Sequence, residues 1–588
     1  MPAAGRRGAA ASLALVGVMW LLPFVQPYHW YPLTSFYSEW LAIALGIAAS
    51  FVLAGRAGGA GLQLPVIALL PVALAALIMV QYLLGGLPYA GPSLTAALYL
   101  VWATLLVALG AYLRRIFGLT VVATVLAWFL VAGGLMNAAA GFLQHFQIST
   151  LLDAVVSKSN AIYVYGNLAQ RNHYANYLTL GLVSLVYLFA RGSLGRVAAA
   201  VCAAPILLAL PLAGSRSVWL YLAALLALAL WPVAEEKRGS VDRMRVLLVC
   251  ATGGFVLAQW IASLPWFAPP LGAEAPSERL FDVATGTAER FQLWREAWWM
   301  FAQSPLAGVG IGQYAWQHVL FQGAFPGTLA IGNFNHAHNV LLQLMAETGL
   351  FGAALIVAAA ILWIWGLRGA RLGLEHWWLL GLLAVIGVHS MLEMPLWYSY
   401  FVGVSAIALG LGATRFVALK PRPLTRVALM LILATGVVNA AGVFTSYRGF
   451  EPLFVRAPGA LGGSELEQIV MRTHRDVLLA PYAELAASFG IVVDEAGIEE
   501  KLELNGRVMR FVPLDVVVYR QALLLAMHGE RRKAEEMLAL AARVYPLEVD
   551  NTIAKLRHLD REYPDRFGPL LELATANSGF APASHTTR

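Results

Sequence analysis

Charge is what this sequence has least of. Only 12% of its 588 residues are Asp, Glu, Lys or Arg, against 59% hydrophobic, where a soluble globular domain carries about 25% charged residues. That excludes an ordinary soluble enzyme. Cysteine is nearly missing too: Cys202 and Cys250 both lie in apolar runs, so neither a disulfide framework nor a zinc site is indicated. The net charge is +7, yet no basic stripe is present to carry nucleic acid, and no such partner is expected. The charges that do occur are unevenly placed. Residues 446–588 hold 17 basic and 20 acidic side chains, and residues 1–445 hold 23 basic and 13 acidic. The chain therefore divides into an apolar body, 1–445, and a normally charged domain, 446–588.

A helix needs about 20 apolar residues to cross roughly 30 Å of hydrocarbon. About thirteen such stretches are present, centred near residues 18, 45, 74, 103, 129, 181, 204, 224, 255, 357, 383, 407 and 435. The fold class expected is all-α, a polytopic membrane protein. Arg6 and Arg7 precede the first stretch as in a signal peptide, but "LLPFVQPYHWYP" has no small-residue cleavage site, so a retained helix is expected.

Lys and Arg of short loops stay on the cytoplasmic side. One set of alternate loops holds Arg6, Arg7, Arg56, Arg114, Arg115, Arg191, Arg196, Lys237, Arg238, Arg243, Arg245, Arg368, Arg371, Arg415, Lys420, Arg422 and Arg426, which is 17 of the body's 23 cations. The other face receives Lys158, Arg171, Arg216, Arg279, Arg290 and Arg295. Thirteen spans place the large loop, about 266–340, and the charged domain on that outer face, which in a Gram-negative bacterium would be the periplasm. Periplasm contains no ATP. Chemistry there must use a donor that arrives activated, and a lipid-linked substrate suits a site opening at the membrane surface.

The outer loops concentrate the unusual residues. "TAERFQLWREAWWMFAQSP" spaces Phe291, Trp294, Trp298 and Phe301 by three and four residues, which predicts an interfacial amphipathic helix stopped by Pro305. It carries Arg290 and Arg295, which either touch headgroups or bind a substrate phosphate through the planar guanidinium fork. "GNFNHAHNVLLQLMAETGLFG" places His336 and His338 just before an apolar helix. Two histidines one residue apart supply too few ligands for zinc, which leaves a capping role or a base able to take a hydroxyl proton near pH 7. "YGNLAQRNHYANYL" gathers Asn167, Gln170, Arg171, Asn172, His173 and Asn176 at the entrance of a span. "LAGSRSVWL" holds Arg216 between two spans with almost no loop, so its charge sits at the membrane boundary, where such residues serve function or pair with an acid. "HSMLEMPLWYSYF" puts His389 and Glu393 near an outer helix end, as a structural pair or a substrate contact.

These segments resemble the superfamily of bacterial O-antigen ligases and O-antigen polymerases. The likeness rests on many spans, one large periplasmic loop, and His338-Asn339 followed by nine residues and Gly349. It covers roughly residues 10–450. The Gln-Arg-Asn-His segment, "HSMLEMPLWYSYF" and the long C-terminal domain look like the branch of protein O-oligosaccharyltransferases that glycosylate pilins and other exported proteins. The resemblance implies a preassembled glycan on undecaprenyl pyrophosphate, transferred whole to an acceptor hydroxyl without metal, nucleotide or other cofactor. It further implies His338 as the base, and Arg216 with Arg290 or Arg295 as pyrophosphate ligands. His336 would share or replace the base, and Gln170, Arg171, Asn172, His173, Asn339, His389 and Glu393 would support the site or touch substrate. Physical chemistry agrees: pyrophosphate leaves readily once cations stabilise its charge, while a Ser or Thr hydroxyl needs a base.

In the charged domain, residues 512–546 predict two helices joined near Gly529, with Ala534, Ala541 and Pro546 resembling one tetratricopeptide-like unit. Helices around 464–490 and 550–575 are expected to complete a small helical domain, a recruiter of acceptor protein or a cap. The last residues, 576–588, are expected to be disordered. Competing expectations are a ligase whose acceptor is lipid A-core, a polymerase, and, in another class, a transporter of lipid-linked glycans. A transporter should carry polar groups deep in several helices, and this chain concentrates them at outer helix ends.

Overall fold

A computed structural model of the chain describes residues 3–57, 62–157, 163–231, 239–267, 284–325, 333–369, 372–419, 423–455 and 463–577. Lys158, Lys237, Arg238, Arg279, Arg371, Lys420, Arg422 and the segment from 578 onward lie outside them. In chain order the main helices are α1 Ala3–Met19, α2 Phe36–Ala57, α3 Leu69–Leu83, α4 Ala90–Phe117, α5 Leu119–His145, α6 Arg171–Arg191, α7 Arg196–Leu212, α8 Ser217–Ala229 and α9 Ser240–Ala262. Then come α10 Ala284–Gln303, α11 Tyr314–Ala324, α12 Val340–Gly366, α13 Leu374–Ser390, α14 Ser399–Gly412 and α15 Pro423–Phe450. Each expected apolar stretch contains a helix. Among the described residues, eight helices are long and apolar enough to cross a membrane, and α7, α8, α13 and α14 are shorter apolar ones.

The chain forms two compact units. The first comprises residues 1–75, 98–284 and 355–444, the second 76–97, 285–354 and 445–588.

At the centre of the first unit is α6, buried continuously from His173 to Leu188. Burial by neighbouring helices accommodates so polar a sequence here, since its Asn, Thr and Ser groups are enclosed within the unit. Its aromatic rings bring their own partners. Phe24 stacks on Tyr177 at 4.0 Å, the Tyr177 hydroxyl donates to the Trp20 carbonyl at 2.7 Å, and Trp378 Nε1 donates to Ser184 Oγ at 3.0 Å. By contrast the span containing α15 is only 11% buried, as suits a helix surrounded by lipid. Close backbone approach is purchased by small residues where α4 crosses α14: a Cβ on Gly410 would lie 2.1 Å from the Val107 carbonyl oxygen, and one on Gly110 2.5 Å from that of Ile407.

Loops assigned to one side by their basic residues meet one another in this unit. Arg114 donates to the Leu411 carbonyl at 2.7 Å, Arg191 pairs with Glu375 at 2.6 Å, and Arg243 donates to the Ala190 carbonyl at 2.9 Å. A two-stranded antiparallel ribbon, β1 Leu62–Pro65 with β2 Phe416–Leu419, joins two further loops of that set. The other set is joined separately, for example by His29 Nε2 against the Asn167 carbonyl at 2.8 Å and His145 Nε2 against that of Phe267 at 2.8 Å.

The second unit contains the helices of the charged domain: α16 Gly463–His474, α17 Ala480–Ser488, α18 Ile498–Phe511, α19 Asp515–Met527, α20 Arg531–Val544, α21 Val549–Glu562 and α22 Pro564–Asn577. Helices α19 and α20 fold back on each other through Gly529, whose φ of +91° favours glycine. Val508, Val518, Leu538 and Phe567 form their common core. The large loop is part of the same body, because α11 packs on α18 and α20 and Trp316 joins that core.

Candidate active site

The residues singled out in the sequence fall into two groups, one in each unit. Gln170, Arg171, Asn172, His173, Arg216, His389 and Glu393 belong to the first. Arg290, Arg295, His336, His338 and Asn339 belong to the second.

In the first group the chain approaches α6 through a turn in which Ala169 adopts a φ of +53°. Gln170 then caps the helix, its side chain accepting from the His173 N–H at 2.5 Å. Asn172 Nδ2 donates to Glu393 Oε1 at 2.7 Å, and His389 Nδ1 shares a hydrogen with the Tyr221 hydroxyl at 2.7 Å. The rings of His173 and His389 meet edge-on with centroids 5.6 Å apart, and Tyr398 lies 4.7 Å from His173. His173, His389 and Glu393 are all buried. Arg171 is half-buried beside the Tyr163 ring at 5.0 Å. Arg216 is exposed at the N-terminus of α8, about one turn before Tyr221. Behind these residues, two buried amides of α5 fix the loop. Gln144 Nε2 donates to the carbonyls of Ser157 and Gly166, both at 2.7 Å, and Asn137 Oδ1 accepts from the Asn167 N–H at 3.2 Å. Asn167 itself donates to the Val25 and Val155 carbonyls.

The second group is built on backbone geometry. His338 has a φ of +50°, a left-handed conformation uncommon for residues other than glycine. Its ring stands perpendicular to that of His336 with centroids 4.1 Å apart, and both residues are half-buried. Asn339 caps α12, Oδ1 accepting from Leu341 and Leu342 at 3.1 and 3.2 Å, while Gln343 Oε1 reaches back to the Ala337 N–H at 2.8 Å. The asparagine of the His-Asn pair thus holds the histidine at a helix entrance. Gly349, ten residues on, breaks α12 with φ +64° and ψ −161°. The Pro305–Gln313 loop satisfies the groups the break releases: Val309 N–H donates to Ala346 at 2.8 Å, Gly310 to Glu347 at 3.1 Å, and Leu350 to Pro305 at 2.9 Å. A Cβ on Gly349 would sit 2.2 Å from the Leu306 oxygen, so only glycine fits.

Arg295 is exposed on α10, its guanidinium 5.4 Å from the Phe321 ring of α11, and Arg290 is half-buried five residues earlier. Between these helices lies a polar chain that sequence reasoning missed. Gln292 Nε2 donates to Glu296 Oε1 at 2.9 Å, Glu296 Oε2 lies 2.6 Å from His318 Nδ1, and His318 Nε2 lies 2.7 Å from Gln322 Nε2. Its signal was available as polar pairs four apart, 292 with 296 and 318 with 322, on faces otherwise apolar. Tyr314, also unforeseen, donates to the Leu293 carbonyl at 2.9 Å. Burial, reinforced by Glu296 and Glu347, pushes its phenol well above the usual range, so it stays a donor. Glu347 accepts from the Gly312 N–H at 2.9 Å, tying the glycine-rich loop to α12.

Fold and geometry define a polytopic, mostly helical membrane protein with a histidine presented at the entrance of a broken apolar helix. Three family models match: the O-antigen ligase over residues 198–357, the protein glycosylation ligase over 164–189, and the C-terminal part of the virulence factor membrane-bound polymerase over 377–556. The short glycosylation-ligase match spans the Gln-Arg-Asn-His segment. A general O-oligosaccharyltransferase of Acinetobacter baylyi is 24% identical over 551 residues, covering 91% of this chain and 92% of the relative. A ComP-specific O-oligosaccharyltransferase of the same organism is 23% identical over 240 residues, 40% of this chain and 41% of that protein. Together these matches support an O-oligosaccharyltransferase of the O-antigen ligase superfamily.

Proposed function

We propose that the protein transfers a preassembled glycan en bloc from undecaprenyl pyrophosphate to Ser or Thr hydroxyls of exported proteins such as pilins. His338 takes the proton of the acceptor hydroxyl as its oxygen bonds to the anomeric carbon. The bond from that carbon to the pyrophosphate oxygen breaks, and undecaprenyl pyrophosphate leaves with the electron pair. Attack opposite the leaving group inverts the anomeric centre. Arg216 and one of Arg290 and Arg295 stabilise the charge on the departing phosphate. No metal or nucleotide enters the scheme, because the donor arrives activated.

The observation that carries this reading is the left-handed backbone of His338 between its edge-on partner His336 and the helix cap Asn339. Strained residues of this kind persist where surrounding structure holds them for function. The near full-length likeness to a general O-oligosaccharyltransferase supports a protein acceptor. The thirteen apolar stretches support thirteen crossings of the bacterial inner membrane, and the loop charges support a large loop and residues 446–588 in the periplasm. In this scheme residues 1–445 are the catalytic body and 446–588 a tetratricopeptide-like domain.

A second reading, a polymerase whose acceptor is another lipid-linked glycan, draws on the match over residues 377–556. Assay of purified protein with lipid-linked donor tests the chemistry: His338→Ala is expected to abolish transfer while leaving donor binding nearly intact. Normal transfer by this variant would remove His338 as the base.

A further inference from the structure

We propose that His318, held by Glu296, is a positioning residue that sets the histidine segment against the arginine-bearing helix; this rests on the reading of His338 as base and Arg290 or Arg295 as phosphate ligand. His318 and Glu296 are both completely buried. The Gln322 amide nitrogen faces His318 Nε2 at 2.7 Å, so Nε2 accepts and the ring hydrogen lies on Nδ1, directed at Glu296 Oε2 2.6 Å away. Gln292 occupies the other carboxylate oxygen. The chain is directional, and it fixes both the tautomer and the ring plane.

Three structural pieces meet at this imidazole. Glu296 is the residue after Arg295 on α10, so the bond to His318 fixes the rotation of the helix that displays both arginines. His318 and Gln322 lie on α11, whose Phe321 lies under the Arg295 guanidinium. The Phe334 ring meets the His318 ring at 5.5 Å, two residues before His336 and four before His338. Burying a carboxylate is expensive, and an apolar pair of similar volume would pack without that cost. What the apolar pair lacks is direction. A displacement of about 1 Å between base and leaving group is enough to lower turnover roughly 10²-fold.

The test uses the full-length protein with lipid-linked donor and acceptor protein, following kcat, donor KM and thermal unfolding. His318→Ala is expected to lower kcat roughly 10²-fold with donor KM near the wild-type value. His318→Asn, which keeps a donor where Nδ1 stands, is expected to recover most of the loss. The double variant Glu296→Met with His318→Phe is expected to unfold near the wild-type temperature and still turn over slowly, separating direction from packing. Wild-type kcat in His318→Ala or in the double variant would overturn the inference. So would a loss in His318→Ala that Asn does not relieve. If His338→Ala is inactive in the same assay while those variants are fully active, only the positioning role fails. If His338→Ala is active, the underlying reading fails.

Discussion

The two groups of polar residues are made differently. Around α6 the side chains hold each other: Asn172 with Glu393, Tyr221 with His389, Gln144 and Asn137 with the loop backbone. At the entrance of α12 and on α10 the two histidines and two arginines stand half-buried or exposed, and support comes from beneath them, through a cap, a helix break and the Glu296–His318 pair. Buried groups bonded to one another make a rigid frame, since each unmet donor or acceptor would be penalised. Half-exposed groups held by their backbone remain open to substrate. Under the proposed mechanism the first group, Arg216 excepted, serves as scaffold and the second carries most of the chemistry.

Substitutions can break that contrast, and the largest effect belongs to the second group. Loss of His338 should abolish detectable transfer, a fall at or beyond the about 10²–10⁴-fold scale usual for general base catalysis. Next come the cations: Arg290→Ala or Arg295→Ala should lower kcat by about 10²–10³-fold at whichever contacts the phosphate, and Arg216→Ala should weaken donor binding as well as turnover. Steady-state kinetics with varied donor would show both. If Tyr221→Phe lowered turnover more than every one of these arginine variants, the assignment of chemistry to the second group would be reversed.

Stability effects are smaller. Gly349→Ala forces a side chain into a left-handed position against the Leu306 oxygen and should cost about 1–3 kcal/mol, seen as a lower unfolding temperature. Asn172→Ala removes the 2.7 Å hydrogen bond to the Glu393 carboxylate and should cost about 1–3 kcal/mol, with a smaller effect on kcat than either arginine.

The last effect is one of pH. Burial opposes ionisation of Glu484, but hydrogen bonds from Arg507, Tyr89 and His474 and the Arg507 charge outweigh it, holding the carboxyl below its ordinary value of 4.5. A carboxylate with a lowered folded value stabilises fully above the ordinary value, and that contribution disappears as pH falls through the folded one. Acidification below about 4.5 should therefore lower the unfolding temperature of the full-length protein, and Glu484→Gln should flatten that slope. An equal slope in the variant would locate the acid sensitivity elsewhere.

Much of this was legible in sequence because the solvent imposes it. Long apolar runs must be helices in lipid, and each expected run contains one. The grouping of loops by Arg and Lys also has a structural counterpart, in Arg114 with the Leu411 carbonyl and Arg191 with Glu375. What escaped reading was contact across distance. The β1–β2 ribbon joins residues more than 350 positions apart, and no local pattern announces it. Glu296 and His318 are unremarkable until α10 and α11 pack together. Association of the large loop with the C-terminal helices through Trp316 was likewise invisible to a reading that divided the chain by charge density. His338 stands out in sequence by its neighbours Asn339 and Gly349, but its positive φ is a property of the folded backbone alone.

The most direct measurement is the intact mass of exported proteins, together with the lipopolysaccharide profile, in the native bacterium carrying either the wild-type protein or His338→Ala. The expected result is loss of glycan mass from one or more proteins in the variant, restored by the wild type, with lipopolysaccharide unchanged. Retention of every protein glycan in the variant, or a defect confined to lipopolysaccharide, would contradict protein glycosylation dependent on His338.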